Sequence, residues 1–144
     1  MLSRDAVIVD KYAQMWPRAV FDMREGKKKF LQDVRSSLRH AGVYILYRDD
    51  QPYHIGKTSR KLFSRIRHHA TNARDRYFHF WNNFSAFVVP KGSHMDEVER
   101  ILIAAMPTAN SASPRIRRII LPKIVRERLR ELRLRAVASS EAQA

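Results

Sequence analysis

The residues best suited to phosphodiester chemistry lie in one stretch, Gly42 to His69, with the sequence GVYILYRDDQPYHIGKTSRKLFSRIRHH. Hydrolysis requires that water is deprotonated and aimed, that the phosphoryl charge is stabilised, and that the leaving oxygen is neutralised, often by a metal. Tyr44 and His54 can aim or deprotonate the water, and Arg65 offers a planar donor fork for phosphate oxygens. A free tyrosine has a pKa of about 10. Tyr44 therefore needs a nearby positive charge to act as a base, and we expect Lys57 to supply it.

A carboxylate far along the chain, Glu99, is the candidate metal ligand. Ser93 with Asp96 resembles a capping box that opens a helix, and Glu99 shares a face of that helix with Leu102 and Met106. An inward carboxylate costs several kcal/mol unless it meets a cation or hydrogen-bond donors. We therefore predict that it binds one Mg²⁺ or Mn²⁺ ion, which keeps several waters. A partly exposed glutamate paired with an arginine is an equally good interpretation of the spacing.

These side chains need a hairpin followed by a helix to hold them. Gly42 to Arg48 is dense in Val, Ile, Leu and Tyr, which predicts a strand. A turn at residues 49–52 leads to a second strand at Tyr53 to Gly56, so we expect an antiparallel hairpin. Thr58 or Ser59 then caps a helix that carries Arg65 and His69. Alternation along the first strand places Tyr44 and Leu46 on one face, opposite Val43, Ile45 and Tyr47.

The flanking segments complete the predicted fold. Residues 3–38 have a helical pattern in two pieces, Phe84 to Val89 predicts a third strand, and a last helix follows Pro122. The aromatic run at 77–83 fits either the core or a surface on which bases stack. The predicted class is α+β, a small three-stranded antiparallel sheet flanked by helices, with helical N- and C-terminal extensions. The predicted boundaries are 1–40 for the N-terminal extension, 41–113 for the core, and 114–144 for the basic C-terminal helix and tail.

The formal net charge of +14 indicates a polyanionic partner, because lysine and arginine that neutralise phosphates release counterions. Residues 115–135 hold nine basic residues against two glutamates, which favours a helix that follows a DNA backbone. A solvated charged surface is the simpler interpretation. The predicted nucleic-acid contacts are Arg60, Lys61, Arg115, Arg117, Arg118, Lys123 and Arg126.

Several functional classes are excluded by what the sequence lacks. The absence of cysteine rules out disulfides, thiol nucleophiles and cysteine-bound zinc. Gly56-Lys57-Thr58-Ser59 resembles the end of a P-loop, but position 51 is Gln where that motif needs glycine, so no nucleotide cofactor is expected. No apolar run approaches the roughly 18 residues of a membrane helix. We expect a cytoplasmic protein, associated with the nucleoid when bound to DNA.

The order of these motifs resembles the GIY-YIG nuclease family. Gly42-Val43-Tyr44 matches its first motif and His54-Ile55-Gly56 its second, and the similarity covers residues 41–113. The resemblance implies a three-stranded sheet flanked by helices and metal-dependent cleavage of DNA to 5′-phosphate and 3′-hydroxyl ends. It also implies a role for each matching position: Tyr44 would position or deprotonate water, Arg65 would bind the scissile phosphate, His69 would match a histidine of several members, Glu99 would hold the single metal ion, Asn110 would brace the site, and Gly42 and Gly56 would support it.

One position departs from the family pattern. His54 replaces the first tyrosine of the second motif, and Tyr53, shifted by one residue, is predicted on the opposite strand face. His54 can still hydrogen-bond water, and a pKa of about 6.5 suits a base at neutral pH.

We therefore predict a metal-dependent DNA endonuclease. The alternatives are a non-catalytic DNA- or RNA-binding module on the same fold and a basic structural protein of a ribonucleoprotein. The sequence leaves open a protein partner or a homodimer.

Overall fold

The structure is a computed structural model that describes residues 7–22, 27–106, 117–118 and 120–143. Its elements confirm the α+β class, with helices packed on an antiparallel sheet. In chain order they are β1 (Lys11–Pro17), a 3-10 turn (Arg18–Phe21), α1 (Lys27–Ser37), β2 (Gly42–Arg48), β3 (Gln51–Thr58), α2 (Leu62–Thr71), β4 (Asn83–Val88), α3 (Gly92–Ala105) and α4 (Lys123–Ala142).

The sheet has four strands in the order β1-β4-β2-β3, so the predicted three-stranded sheet is wrong by one strand. The extra strand is β1, which lies in the segment predicted to be helical. It pairs with β4 from Lys11 opposite Val88 to Pro17 opposite Asn83, and an irregularity between Ala13 and Trp16 bends it. Pairing with a distant strand buries Ala13, and this tertiary contact outweighs the local helical pattern.

The hairpin of β2 and β3 confirms the central prediction of the sequence. Tyr44 lies opposite Gly56 and Leu46 lies opposite His54. Asp49 adopts a φ of 56° in the tight turn, a left-handed conformation that Asp tolerates better than most residues. β2 also pairs with β4, so it is a central strand, and all its residues from Gly42 to Leu46 are buried.

The two faces of the sheet have separate cores, as the alternation along β2 predicts. Tyr44 and Leu46 pack with residues of α1, α2 and the 3-10 turn. Val43 and Ile45 pack on the opposite face with Met95, Val98 and other residues of α3. The side chains predicted to do chemistry are therefore divided between two sides of a thin sheet.

Two predicted helix caps are wrong. α2 begins at Leu62 and α3 begins at Gly92, and neither has a side-chain cap. Ser93 lies inside α3, and the Asp96 carboxylate forms an ion pair with Lys57 rather than capping the helix. Within the described ranges, no helix combines the length and apolar character needed to cross a membrane.

Candidate active site

The centre of the site is a chain of three side chains, Tyr44, His69 and Asp75. The hydroxyl of Tyr44 lies 2.8 Å from Nε2 of His69. Nδ1 of His69 lies 2.8 Å from Oδ1 of Asp75. Tyr44 is completely buried and His69 is 2% exposed, so these polar atoms hydrogen-bond to one another instead of to water. Such buried networks are stable only when each member finds a partner.

The direction of the hydrogen bonds follows from the donor inventory. An ionised Asp75 carboxylate can only accept, so Nδ1 of His69 carries the proton and donates it. Nε2 of a neutral imidazole is then an acceptor, and the Tyr44 hydroxyl donates to it. Nε of Arg65 in turn donates to the Tyr44 oxygen at 3.3 Å. The tyrosine oxygen therefore lies between an acceptor that can take its proton and a fixed positive charge.

Burial shifts the pKa values of Tyr44 and His69 in opposite directions. Burial raises the pKa of Tyr44, although the hydrogen bond and positive charge of Arg65 act to lower it. Burial lowers the pKa of His69, although Asp75 acts to raise it. Burial would also raise the pKa of Asp75, but hydrogen bonds from His69 and the Tyr77 backbone outweigh it and lower that pKa. At neutral pH the site therefore holds a protonated tyrosine, a neutral histidine and an ionised aspartate.

The cation beside Tyr44 is Arg65, and the expectation that Lys57 would play this part is wrong. The Lys57 ammonium forms an ion pair with Asp96 and lies 3.7 Å from Oε1 of Glu99, both on α3. The strand alternation explains the difference, because Lys57 neighbours Gly56 and points to the other face of β3. The lysine therefore belongs to the acidic side of the site.

The two predicted support glycines have a clear steric basis. A Cβ on Gly56 would collide with the phenol oxygen of Tyr44, which crosses directly over that residue. A Cβ on Gly42 would collide with the backbone oxygen of Phe87 on β4. Both positions need the absence of a side chain so that another group can approach closely.

His54 lies beside the hydrogen-bonded chain of Tyr44, His69 and Asp75. Its ring stacks on Tyr77 at 4.0 Å between centroids, and lies 6.0 Å from Tyr44 and 5.9 Å from His69. Tyr53 occupies an irregularity in the pairing of β2 with β3 and stacks on Phe80 at 5.5 Å. Tyr53 also meets Tyr77 edge-on, so the irregularity brings two adjacent residues to one aromatic ring.

Asp75 is the residue that the sequence prediction missed. It lies in the loop after α2, where its carboxylate also accepts a hydrogen bond from the backbone N–H of Tyr77 at 2.9 Å. Arg18 holds this loop in place by donating hydrogen bonds to the carbonyl oxygens of Ala70, Trp81 and Phe78. The only sequence signal was an Asn-Ala-Arg-Asp turn segment, which indicates a loop but gives no direction for the carboxylate.

The acidic side of the site consists of Glu99 and Asp96, one turn apart on α3. Both contact the ammonium of Lys57, and the Glu99 side chain is 20% exposed. The inward orientation predicted for Glu99 is therefore only partial. Among the described residues, no group of three or more His, Asp or Glu side chains could hold a metal. Two carboxylates with open solvent nonetheless fit Mg²⁺, which takes most of its ligands from water and substrate phosphates.

A groove of about 480 Å³, here named the basic groove, joins the two sides of the site. Its lining includes Lys57, Arg65 and the predicted contacts Arg60 and Lys61. Among the residues that the structure describes there, no carboxylate lines it. The groove therefore presents donors and positive charge to an anion that reaches Arg65.

The remaining predicted residues lie elsewhere. Asn110 and Arg115 fall outside the described residues. Arg117, Arg118, Lys123 and Arg126 are exposed, the last two on α4. Every described residue of α4 is exposed, including the apolar residues Ile124 and Leu134. These positions remain predictions as nucleic-acid contacts.

No family model matches the sequence, and no curated protein matches it. Among solved structures, the chain is similar to a point mutant of the GIY-YIG N-terminal endonuclease domain of UvrC from Thermotoga maritima, bound to its catalytic divalent cation. The TM-score is 0.48 and the identity 23%, over 62% of this chain and all of that chain (100%). The magnesium-bound form of the same domain gives a TM-score of 0.46 and 23% identity, over 60% of this chain and 97% of that chain. The likeness is partial, and the function is therefore inferred from the side chains of the site.

Proposed function

We propose that this chain is a metal-dependent endonuclease of the GIY-YIG type that hydrolyses DNA phosphodiester bonds. The observation that carries the proposal is the Tyr44 hydroxyl, which lies 2.8 Å from the acceptor nitrogen of His69 and 3.3 Å from the Arg65 guanidinium. A phenol between a neutral base and a phosphate-binding cation is suited to pass a proton while a phosphoryl group is attacked.

The proton path follows from the hydrogen bonds. As water attacks phosphorus, it gives one proton to the Tyr44 oxygen while the Tyr44 proton passes to Nε2 of His69. The imidazolium that forms is stabilised by the Asp75 carboxylate, which already accepts from Nδ1. The bond from phosphorus to the 3′-oxygen breaks, leaving a 5′-phosphate and a 3′-alkoxide that takes a proton from solvent, and the proton held on His69 returns to solvent when the products leave. Tyr44 thus relays the proton, and His69 holds it.

Arg65 has two roles in this scheme. Arg65 is an exposed residue, although its Nε contacts the phenol oxygen of the completely buried Tyr44. Water reaches that oxygen only after a neighbouring group moves, and an arriving phosphate attracts the guanidinium outward into the basic groove. Substrate binding would thereby open the path for the attacking water and bind the phosphoryl oxygens with the same side chain.

Glu99, with Asp96 beside it, would hold a single Mg²⁺ or Mn²⁺ ion. When bound, such an ion supplies positive charge that neutralises the leaving oxygen. Lys57 would have to release these carboxylates when the metal binds. Its ammonium, which lines the basic groove, would then bind a phosphate of the DNA instead. Asn110 would brace the site, and Arg115, Arg117, Arg118, Lys123 and Arg126 would add contacts to the DNA backbone.

The test is nicking of supercoiled plasmid with Mg²⁺ or Mn²⁺. We expect the parent to nick, and Tyr44→Phe, Arg65→Ala and Glu99→Ala to lose about 100-fold or more in rate. Tyr47→Phe is the matched control, because it removes a hydroxyl from the other face of β2 and should keep the parent rate. A parent that binds DNA but never nicks it would overturn the proposal in favour of a non-catalytic DNA- or RNA-binding module.

A further inference from the structure

A second groove, of about 360 Å³, lies between α1 and α2 and is here named the α1–α2 groove. Its charged or polar lining includes Arg35 from α1 and Lys61, Arg67 and His68 around α2. No carboxylate is found among the described residues that line it. The groove shares Lys61, Ser64 and His68 with the basic groove, so the two grooves are adjacent on the surface.

Arg35 and Arg67 are held in this groove by one aromatic ring. The guanidinium carbon of Arg35 lies 5.1 Å from the centroid of the Phe63 ring, and that of Arg67 lies 6.0 Å from it. Phe63 is only 3% exposed, so its ring is fixed by the core. Cation–π contacts of this kind position a guanidinium while leaving its N–H donors available.

Within the described ranges, neither arginine forms an ion pair with a carboxylate. By contrast, Lys57, Lys123 and Arg128 each have an acidic partner. Two ordered guanidinium groups without such a partner offer the paired donors that bind phosphate oxygens. The chemistry of the α1–α2 groove therefore matches a phosphate.

The position of the groove indicates a long ligand rather than an isolated anion. Arg65 and Arg67 are two residues apart on α2, which places them about 200° apart around a helix that is about 10 Å wide. One phosphate cannot contact both sides of such a helix. A nucleic-acid strand can, because it carries a phosphate at every nucleotide.

We propose that the α1–α2 groove is a second phosphate-binding site, in which Arg35 and Arg67 hold the DNA backbone to one side of the scissile bond. This assignment rests on the proposed function for its choice of DNA as the ligand. It places the DNA across the outer surface of α2, with the scissile phosphate at Arg65 and a flanking phosphate at Phe63 and its two arginines.

The test measures binding of duplex DNA without divalent metal, so that cleavage does not interfere, as a function of salt concentration. For Arg35→Gln and for Arg67→Gln, we expect the slope of log K against log salt to become shallower by about 0.9. Arg48→Gln removes the same charge at an exposed position outside both grooves and should keep the parent slope. Slopes equal to that of the parent in both groove variants would overturn the proposal.

A second measurement separates this proposal from the nuclease itself. In plasmid nicking, we expect both groove variants to raise KM for DNA while kcat stays near the parent value, because the reacting groups are unchanged. A lowered kcat with an unchanged KM would overturn the proposed role. If the parent never nicks DNA, the nuclease proposal fails, while the salt slopes still decide whether the groove binds a DNA backbone.

Discussion

The hydroxyl of Tyr44 and Nε2 of His69 lie 2.8 Å apart at the centre of the site, both fully enclosed by the core. Because burial raises the pKa of the phenol and lowers that of the imidazole, the proton belongs on the tyrosine at rest. Both shifts hold the proton on Tyr44, so the proposed transfer to His69 requires that Tyr44 receives a second proton from water at the same time. Tyr44 alone, with its raised pKa, would be a poor base.

Replacing Asp75 with asparagine should disable His69 without removing it. The amide can donate to Nδ1, which favours the tautomer with a proton on Nε2, and that nitrogen can no longer accept from Tyr44. We expect nicking to fall by about 100-fold or more. The ¹⁵N shifts of the His69 ring report the tautomer directly. Asp33→Asn, at an exposed position of α1, is the control, and an unchanged tautomer in Asp75→Asn would contradict the assignment.

Stability should fall in mild acid because of His69. In the unfolded chain His69 takes up a proton below a pH of about 6.5, whereas its lowered pKa keeps it neutral in the fold to lower pH. The unfolded state then binds more protons, so the free energy of unfolding decreases as the pH falls from about 6.5 through the folded pKa. Urea unfolding at a series of pH values across this range measures the decrease in the free energy of unfolding. His69→Gln should flatten the dependence, and exposed His79→Gln should leave it intact.

Adding one methyl group at Gly56 should displace the phenol of Tyr44. The new Cβ would collide with the Tyr44 oxygen, so the ring has to shift within a closed core. We expect a loss of about 1–3 kcal/mol in the free energy of unfolding and a large fall in nicking. Gly92→Ala is the matched control, since a Cβ there meets nothing within 4 Å. Equal rates for the two variants would show that the phenol position is unimportant.

Arg18 should matter to the site because it holds the loop that carries Asp75. Its guanidinium donates to the carbonyl oxygens of Ala70, Trp81 and Phe78, which hold the loop that carries Asp75. Arg18→Leu leaves these oxygens without their donor, and we expect a loss of about 2–3 kcal/mol. Thermal unfolding of Arg18→Leu, compared with that of Arg48→Leu, measures this loss of stability. Similar stability of the two variants would contradict the bracing role of Arg18.

The hairpin could be predicted because its signals are local. The density of Val, Ile and Tyr defined β2, and its alternation placed Tyr44 with Leu46 on the face that carries the site. The helical spacing of Arg65 and His69 likewise placed both at the edge of that face, although the structure buries His69 and leaves Arg65 exposed. Periodicity suffices where the contacts lie within one strand or one helix.

The contacts that could not be predicted join distant segments. β1 is a strand because β4 offers it a partner about 70 residues away, which no local pattern reveals. Asp75 contacts His69 only because the chain turns back after α2. Lys57 contacts Asp96 only because α3 packs on the opposite face of the sheet. In each case the partner is chosen by tertiary packing rather than by spacing along the chain.

The strand order has a consequence for how this sheet avoids unwanted association. In the order β1-β4-β2-β3 the two edge strands of the sheet are β1 and β3, and β3 carries His54 and Lys57. Pro52 within β3 lacks an N–H, and Lys57 places a charge on it, two features that deter another strand from joining an edge. The β3 edge, next to the strand that carries Tyr44, therefore resists pairing with a strand of another chain.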